Sequence, residues 1–258
     1  MLPESQRDRV DIVLVSPRNP LNIGAAARAL ANFGFSRLTV VAPYDANWRE
    51  ARSAIGAPEL LKDARETESL AEAVSQCTLV IGTGTLTTRK PEQQVVSLPV
   101  LAPLARIEIE RGGRIAIVFG PEKRGLTRED LSRCHLLVEI PTDARQPSMN
   151  LGQAVAVCLY ELATRMFPAH ESEGEEESQK SAPNAPAATL DLLAEVIEQA
   201  ITASGYSPEV MRAANRHDLQ LLLRRLTLNS ADAKRALGVF RRILYRLQHL
   251  HGKARLPQ

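Results

Sequence analysis

Five short apolar runs alternate with helical segments in the first two thirds of the chain, and this alternation constrains the fold most. The runs span residues 10–16, 38–42, 78–82, 114–119 and 136–140. They are apolar almost throughout and rich in β-branched residues, which is typical of strands buried on both faces. Apolar residues at helical spacing predict helices over residues 22–33, 67–77 and 151–167. Near-continuous apolar strands between helices predict an α/β fold with a parallel sheet covered on both faces.

A change of composition divides the chain. The segment 168–189 carries five glutamates followed by Ser, Pro, Asn and Ala. It cannot bury a core and is predicted to be a flexible acidic linker. We therefore predict an α/β domain over residues 1–167 and a small helical domain over residues 190–258, which is an ordinary division for a chain of 258 residues.

Positive charge concentrates in the C-terminal segment. Residues 190–258 contain 11 Lys or Arg against 6 Asp or Glu. Helices are predicted there over 190–203, 218–227 and 230–251, with Ser230 as an N-cap. The cations that crowd the last two helices are Arg224, Arg225, Lys234, Arg235, Arg241, Arg242 and Arg246. Two interpretations stay open: solvated helix faces, or a contact surface for RNA phosphates or for a partner subunit.

Composition excludes several classes of protein. A net charge of +2 argues against a strongly basic nucleic-acid binder, although a local basic patch is compatible with it. Cys77, Cys134 and Cys158 lie far apart and predict neither a disulfide framework nor a zinc site. The N-terminal residues lack the apolar region of a signal peptide, and no apolar run is long enough to cross a membrane. We expect a cytoplasmic protein.

The strand over 78–82 runs into a loop of small residues, Gly82-Thr83-Gly84-Thr85. Small residues let the backbone approach a ligand closely. A dinucleotide-binding fingerprint needs a third glycine at position 87, where the chain has Thr87. The two-glycine pattern alone is also typical of a plain tight turn.

The loop after the strand over 114–119 has the glycine spacing of a phosphate-binding loop but not its chemistry. Leu126 occupies the position where the phosphate-binding lysine must be, which argues against a Mg²⁺-nucleotide site. Thr127, with Asp130 three residues on, predicts a helix start with a capping box. Glu122 is suited to fix another loop or a cationic side chain, the alternative being a plain surface glutamate.

Two further loops carry polar residues next to predicted strands. Asn22 and Arg28 follow the first strand, and Ser148 and Asn150 precede the long helix, where either is a candidate N-cap. A strand followed by a helix lifts such residues to the mouth of the fold. Separated loops with Gly, Asn, Ser and Glu indicate one assembled site, and an arginine among them indicates that the site handles phosphate.

Together these loops resemble the three motifs of the TrmH/SpoU branch of the SPOUT RNA methyltransferases. The motifs are Asn22-x-Gly24-x-x-x-Arg28 with Phe33-Gly34, then Ile117-Val118-Phe119-Gly120-x-Glu122-x-x-Gly125-Leu126, then Ile140-Pro141 with Ser148-Met149-Asn150-Leu151. Their order, spacing and strand context agree over residues 10–165. The domain order and the segment 217–247 are similar to a subgroup that methylates nucleotide 32 of the tRNA anticodon loop.

The resemblance implies a fold and a cofactor. The sheet should end in a deep trefoil knot, although general topology rules argue against knots, and the protein should be a homodimer. S-adenosylmethionine should bind bent in the knotted loops as the methyl donor, with no metal. The residues implied in cofactor binding are Thr83, Gly84, Thr85, Gly120, Ile140, Ser148, Met149 and Leu151.

The resemblance also implies the reaction, which is methyl transfer to a ribose 2′-OH of RNA, with cytidine or uridine 32 of tRNA as the expected target. The residues implied in catalysis are Arg28, Asn22, Glu122, Ser148 and Asn150. Arg28 is the candidate for activating the 2′-OH, from across the dimer interface. Because an arginine has a pKa above about 12, it would act with help from an RNA phosphate or by stabilising the oxyanion.

Two alternatives stay open: the same chemistry on ribosomal RNA or another tRNA position, and an RNA-binding homologue without catalysis. The intact Arg28, Glu122, Ser148 and Asn150 argue against the second. His135 and His217 are expected to be structural or surface residues. Trp48 is expected to pack within the protein, the alternative being to stack on an RNA base.

Overall fold

The computed structural model describes residues 4–84, 91–166 and 182–253. Its strands are β1 (Val10–Val15), β2 (Arg37–Val41), β3 (Arg65–Thr67), β4 (Leu79–Thr83), β5 (Gln94–Ser97), β6 (Ile115–Phe119) and β7 (Leu136–Glu139). Its helices are α1 (Glu4–Arg7), α2 (Pro20–Phe33), α3 (Pro58–Lys62), α4 (Leu70–Ala73), α5 (Leu101–Glu110), α6 (Arg128–Ser132), α7 (Leu151–Arg165), α8 (Ala187–Ala203), α9 (Arg212–Arg225) and α10 (Ser230–Lys253).

The strands form one parallel sheet in the order β3-β2-β1-β6-β4-β7-β5. The predicted α/β fold is confirmed, and the five predicted strands are all present with ends within one residue of the prediction. The two strands that the sequence did not predict, β3 and β5, lie at the two edges of the sheet. Edge strands are short and need not be apolar, so they lack the signal that revealed the central ones.

The core lies on both faces of the sheet because successive residues of a strand point to opposite sides. On β1, Ile12 and Leu14 pack with residues of α2, α5 and α7, whereas Val13 and Val15 pack with residues of α4 on the other face. The helices α2 and α7 approach closely, since a Cβ added at Gly152 would lie 2.6 Å from the Cβ of Ala25. This close packing places the start of α7 beside α2.

Several predicted helix boundaries are wrong. The helix predicted over residues 67–77 is only Leu70–Ala73, capped by the Ser69 side chain and preceded by β3. α3 and α5 were not predicted. The helix predicted from residue 218 begins at Arg212. The first turn of α10 is capped by Asn229 rather than Ser230, since the Asn229 Oδ1 accepts the N–H groups of residues 231 and 232 at 2.9 Å.

Other terminal signals are confirmed. Gly34 ends α2 in the left-handed conformation with φ 74°, and Thr127 and Asp130 form the predicted capping box of α6. α8 begins at Ala187, inside the stretch predicted as a linker. Residues 168–181 of that stretch lie outside the described part of the chain.

The C-terminal helices dock on α6 through a buried polar cluster, here called the docking network, of Arg133, Asp191 and Arg224. The Arg224 side chain is 1% exposed. It donates to Asp191 Oδ1 at 2.7 Å and to the Arg133 carbonyl at 2.8 Å, while the Arg133 guanidinium donates to Asp191 Oδ2 at 3.0 Å. Both interpretations of the basic helices are therefore wrong for Arg224, which is neither solvated nor available to RNA.

His135 and Trp48 are structural. The Nδ1 of His135 accepts the Val80 N–H at 3.0 Å, and burial together with the charge of Arg224 lowers the pKa of this histidine to about 3. Trp48 is fully buried and its indole N–H donates to Glu66 at 3.2 Å, so it packs as expected and cannot stack on RNA. None of the helices in the described ranges is long and apolar enough to span a membrane.

Candidate active site

The three motif loops meet at the carboxyl ends of the central strands. β1, β6, β4 and β7 are consecutive neighbours and run parallel, so the loops that leave their carboxyl ends lie side by side. The loop after β1 leads into α2, the loop after β6 into α6, and the loop after β7 into α7. The structure thus brings together segments that are up to about 130 residues apart in the sequence.

A pocket of about 290 Å³ opens between these loops. Seven of the residues implied in cofactor binding line it: Thr83, Gly84, Gly120, Ile140, Ser148, Met149 and Leu151. The eighth, Thr85, lies outside the described residues. Further lining residues that the sequence did not single out are Pro121, Lys123, Arg124, Leu131, Thr142, Pro147 and Ala154. Most of these residues belong to the motif loops, so their position within a motif could have predicted that they line the pocket.

The pocket wall suits a ligand with a flat apolar part and a charged part. Leu126, Leu131 and Ile140 supply apolar surface, and Lys123 and Ser148 supply polar groups. A side chain at position 120 would collide with the backbone of residues 125 and 126, so only glycine allows this loop to close on itself. These features fit S-adenosylmethionine, whose adenosine part needs apolar walls and close backbone approach.

Thr83 contributes to the pocket through structure more than through its hydroxyl. The Oγ1 of Thr83 donates to the Val118 carbonyl at 2.9 Å, and the residue is buried. Its hydroxyl proton therefore joins β4 to β6 at the pocket floor. The ligand-facing part of this strand end is Gly84, which is exposed.

A directed chain of hydrogen bonds, here called the site network, joins Glu122, Asn22 and Asn150. The Asn22 Nδ2 donates to Glu122 Oε1 at 2.8 Å, and the Asn150 Nδ2 donates to Asn22 Oδ1 at 2.9 Å. The Asn150 Oδ1 accepts the N–H of Gly152 at 2.9 Å and so caps α7. Of the two N-cap candidates, Asn150 is the cap. Every amide has one possible orientation, because the backbone N–H fixes one end and an acceptor-only carboxylate fixes the other.

Glu122 also binds backbone that the sequence did not single out. The N–H of Arg18 donates to Oε2 and the N–H of Asn19 donates to Oε1, both at 3.2 Å. Burial opposes ionisation of Glu122, but the bonds from Asn22 and from these backbone groups outweigh it and hold its pKa below the ordinary value. Glu122 is thus an ionised anchor that ties the loop after β6 to the loop after β1.

The remaining two residues implied in catalysis lie apart from this network. Ser148 is exposed and lines the pocket. Arg28 is exposed on α2 and does not line the pocket, and it makes no hydrogen bond or ion pair with any other described residue. Arg28 lies six positions after Asn22 on α2, which is about 9 Å along the helix axis. Within one chain, the structure does not bring Arg28 to the network.

The family model of the SpoU rRNA Methylase family matches residues 9–160, which contain all three motifs and the whole sheet. The chain belongs to this family. The SpoU methylase fold inferred from the motifs is confirmed, and this SpoU methylase is an RNA methyltransferase that uses S-adenosylmethionine. The trefoil knot stays a prediction.

Two relatives of this SpoU methylase match 93% and 60% of its length. It is 36% identical over 253 residues to the tRNA (cytidine/uridine/adenosine-2′-O-)-methyltransferase TrmJ of Pseudomonas aeruginosa, covering 93% of this chain and 94% of the relative. It is 37% identical over 158 residues to the tRNA (cytidine-2′-O-)-methyltransferase TrmJ of Methanocaldococcus jannaschii, covering 60% of this chain and 68% of the relative. The crystal structure of TrmJ from Z. mobilis superimposes with a TM-score of 0.76 at 29% identity, covering 90% of this chain and 98% of that chain.

Proposed function

We propose that the protein transfers a methyl group from S-adenosylmethionine to the ribose 2′-OH of cytidine or uridine 32 in the tRNA anticodon loop. The observation that carries the proposal is the site network, intact beside a pocket whose lining suits the cofactor. The tRNA substrate is taken from the relatives, of which the one from Pseudomonas aeruginosa matches 93% of this chain and therefore also part of the C-terminal helices.

The chain's own residues position the reactants. The cofactor supplies a methyl group on a sulfonium, which leaves in line as an oxygen nucleophile attacks. The pocket holds the donor, and the network of Glu122, Asn22 and Asn150 fixes the loops between which the ribose enters. Such positioning accounts for a large share of the rate of a displacement. Ser148 places the ribose or the cofactor at the pocket mouth.

Arg28 activates the 2′-OH in this proposal. A ribose hydroxyl is a poor nucleophile until its proton begins to leave. The guanidinium, paired with an RNA phosphate, orients the hydroxyl and stabilises the developing oxyanion. Arg28 is exposed and free of partners among the described residues, as suits a residue that serves the site of a second copy in a homodimer.

The test is transfer of labelled methyl from S-adenosylmethionine to unmodified tRNA transcripts, with the product mapped to a nucleotide. Label on the ribose of nucleotide 32 is expected, with a loss of about 10³-fold for Arg28→Ala. Arg111→Ala is the matched control. This residue follows α5 and precedes β6, so it lies at the amino ends of the strands, away from the pocket. Label on ribosomal RNA or on another tRNA nucleotide would replace the proposed target and keep the chemistry.

The role of Arg28 across a dimer has its own test. A heterodimer of Arg28→Ala and Glu122→Gln protomers retains one complete site if each site uses the partner's arginine. It should then recover about half of the wild-type rate, although the homodimers of the two variants retain about 1% of it or less. A heterodimer without activity would place Arg28 in the site of its own protomer.

We propose further that residues 190–258 form a helical domain whose exposed basic face contacts the tRNA. The cations concerned lie on α10 and are all exposed: Lys234, Arg235, Arg241, Arg242 and Arg246. Replacing two of them by Gln should weaken tRNA binding and flatten its dependence on salt concentration. Unchanged binding, together with a change in oligomeric state, would assign the face to the subunit interface.

A further inference from the structure

An aromatic ring stands beside the active site without a part in the network. Tyr44 lies after β2, and 78% of it is exposed. Its backbone is nevertheless fixed, since the Tyr44 N–H donates to the Pro17 carbonyl at 3.2 Å and the Ala42 N–H donates to the Thr67 carbonyl at 2.9 Å. The buried Trp48 anchors the same loop four residues later. The ring is therefore held outward by an ordered backbone.

A cation covers one face of this ring. The guanidinium carbon of Arg18 lies 5.5 Å from the centroid of the Tyr44 ring, which is within the range of a cation–π contact. With most of the residue exposed, the rest of the ring surface faces solvent. The pair combines a flat aromatic surface with a positive charge at its side.

The pair is joined directly to the catalytic loops. Pro17 accepts the hydrogen bond from Tyr44, and the next residue, Arg18, donates its N–H to Glu122 at 3.2 Å. Glu122 in turn holds Asn22. A ligand that rests on Tyr44 therefore lies one short backbone segment away from the residues that position the ribose.

Single-stranded RNA has the chemistry that such a surface recognises. Bases of RNA loops are free to leave the stack, and they stack on aromatic rings and on arginine planes. The phosphates beside them attract the guanidinium. Because Tyr44 is hydrogen-bonded to Pro17, beside the residue that binds Glu122, it is a candidate contact for a base next to the methylated nucleotide.

We propose that Tyr44 and Arg18 form a stacking platform for the base of a nucleotide that flanks the methylated one, with Tyr44 as a residue that determines substrate specificity. This rests on the proposed function, in that the RNA is taken to enter the same site. The platform holds the RNA loop in an orientation in which the target ribose faces the pocket.

The experiment uses an anticodon stem-loop RNA that carries 2-aminopurine at a position next to nucleotide 32, and it measures fluorescence quenching and affinity. Wild-type protein and Tyr44→Phe should quench the probe equally. Tyr44→Ala should lose the quenching and bind about tenfold more weakly. Tyr160→Ala is the control, because this tyrosine is 55% exposed and lies in α7 ten residues after Asn150, which is about 15 Å along the helix axis.

Three further measurements distinguish loss of the platform from general damage to the protein by the substitution. For Tyr44→Ala, the affinity for S-adenosylmethionine and the oligomeric state should match the wild type, and the KM for RNA should rise while kcat changes little. Equal quenching by Tyr44→Ala, or an altered oligomeric state in that variant, would overturn the platform. The quenching needs no methyl transfer, so a wild-type protein that quenches without methylating nucleotide 32 would refute the proposed target and retain the platform.

Discussion

The site network and the docking network are both built from three polar side chains that join separate parts of the chain. Glu122, Asn22 and Asn150 are exposed or half-buried at the open edge of the sheet. In the docking network the side chains of Arg224, Arg133 and Asp191 are 1%, 18% and 23% exposed. Water can replace a lost partner at the first and much less readily at the second. Loss of the site network is therefore expected to reduce activity, whereas loss of the docking network is expected to reduce stability.

The largest expected effect is on stability, from Arg224→Met. The methionine fills much of the volume but leaves the Asp191 carboxylate and the Arg133 carbonyl without this donor, and breaking a buried ion pair costs about 3 kcal/mol. Urea unfolding measures the change. Arg225→Met, at the exposed neighbouring position of α9, should change the free energy of unfolding by less than about 0.5 kcal/mol. Equal effects of the two variants would remove the contrast between the networks.

The reverse pattern is expected for Glu122→Gln. The glutamine amide turns a donor toward the N–H of Arg18 or Asn19, so the loops lose their register, and kcat should fall about 100-fold. The free energy of unfolding should change by about 1 kcal/mol or less, since water reaches this half-buried group. Glu50→Gln, an exposed glutamate, is the control. A stability loss as large as that of Arg224→Met would show that the site network also holds the fold.

A sharper dissection is available at Asn150, which serves both function and folding. Asn150→Asp keeps an oxygen for the N–H of Gly152 and so keeps the cap of α7, but it cannot donate to Asn22. Its kcat should fall about tenfold with an unchanged Tm, because positioning is lost and the cap is not. Asn150→Ala should lose both, with an additional destabilisation of about 1 kcal/mol. Full activity of the aspartate variant would exclude a role for the bond between Asn150 and Asn22.

The smallest effect concerns pH and the docking region. The imidazole of His135 has a pKa of about 3 in the folded protein, mainly through burial, against 6.5 when unperturbed. Between these values the unfolded chain binds a proton that the folded chain does not. The free energy of unfolding should therefore fall as pH drops through 6.5, by about 1 kcal/mol at pH 5.5, and reach its full value about one pH unit above 6.5.

His135→Asn tests the assignment, because the asparagine oxygen can accept the Val80 N–H and does not titrate. Urea midpoints at pH 7.5 and 5.5 should differ less for this variant than for the wild type. An identical pH dependence in both proteins would assign the effect to another group.

The sequence predicted the centre of the sheet and not its edges. Central strands are buried on both faces and therefore mostly apolar, whereas β5 reads Gln-Val-Val-Ser and β3 has three residues. The prediction of a helix over 67–77 was wrong because the spacing of apolar residues extends beyond the helix itself. Leu70, Ala73, Val74 and Cys77 have helical spacing, but they belong to a four-residue helix and the turn after it.

The motifs indicated which loops would meet but not how they would be joined. Nothing in the spacing shows that Asn22 lies between Glu122 and Asn150, or that Glu122 binds the backbone of residues 18 and 19. The same limit applies to Arg224. In sequence it is one of several cations on a basic helix, and only the fold places it against Asp191 and α6.

The order of the docking network along the chain has a consequence for biosynthesis. Asp191 and Arg224 are synthesised after all seven strands, so α6 and β7 leave the ribosome before the residues that cover Arg133 and His135. At about 5–20 residues per second this interval lasts several seconds. During that time the surface of α6 is exposed on every nascent chain. A chaperone that binds this surface would therefore act during synthesis, before the C-terminal helices cover it.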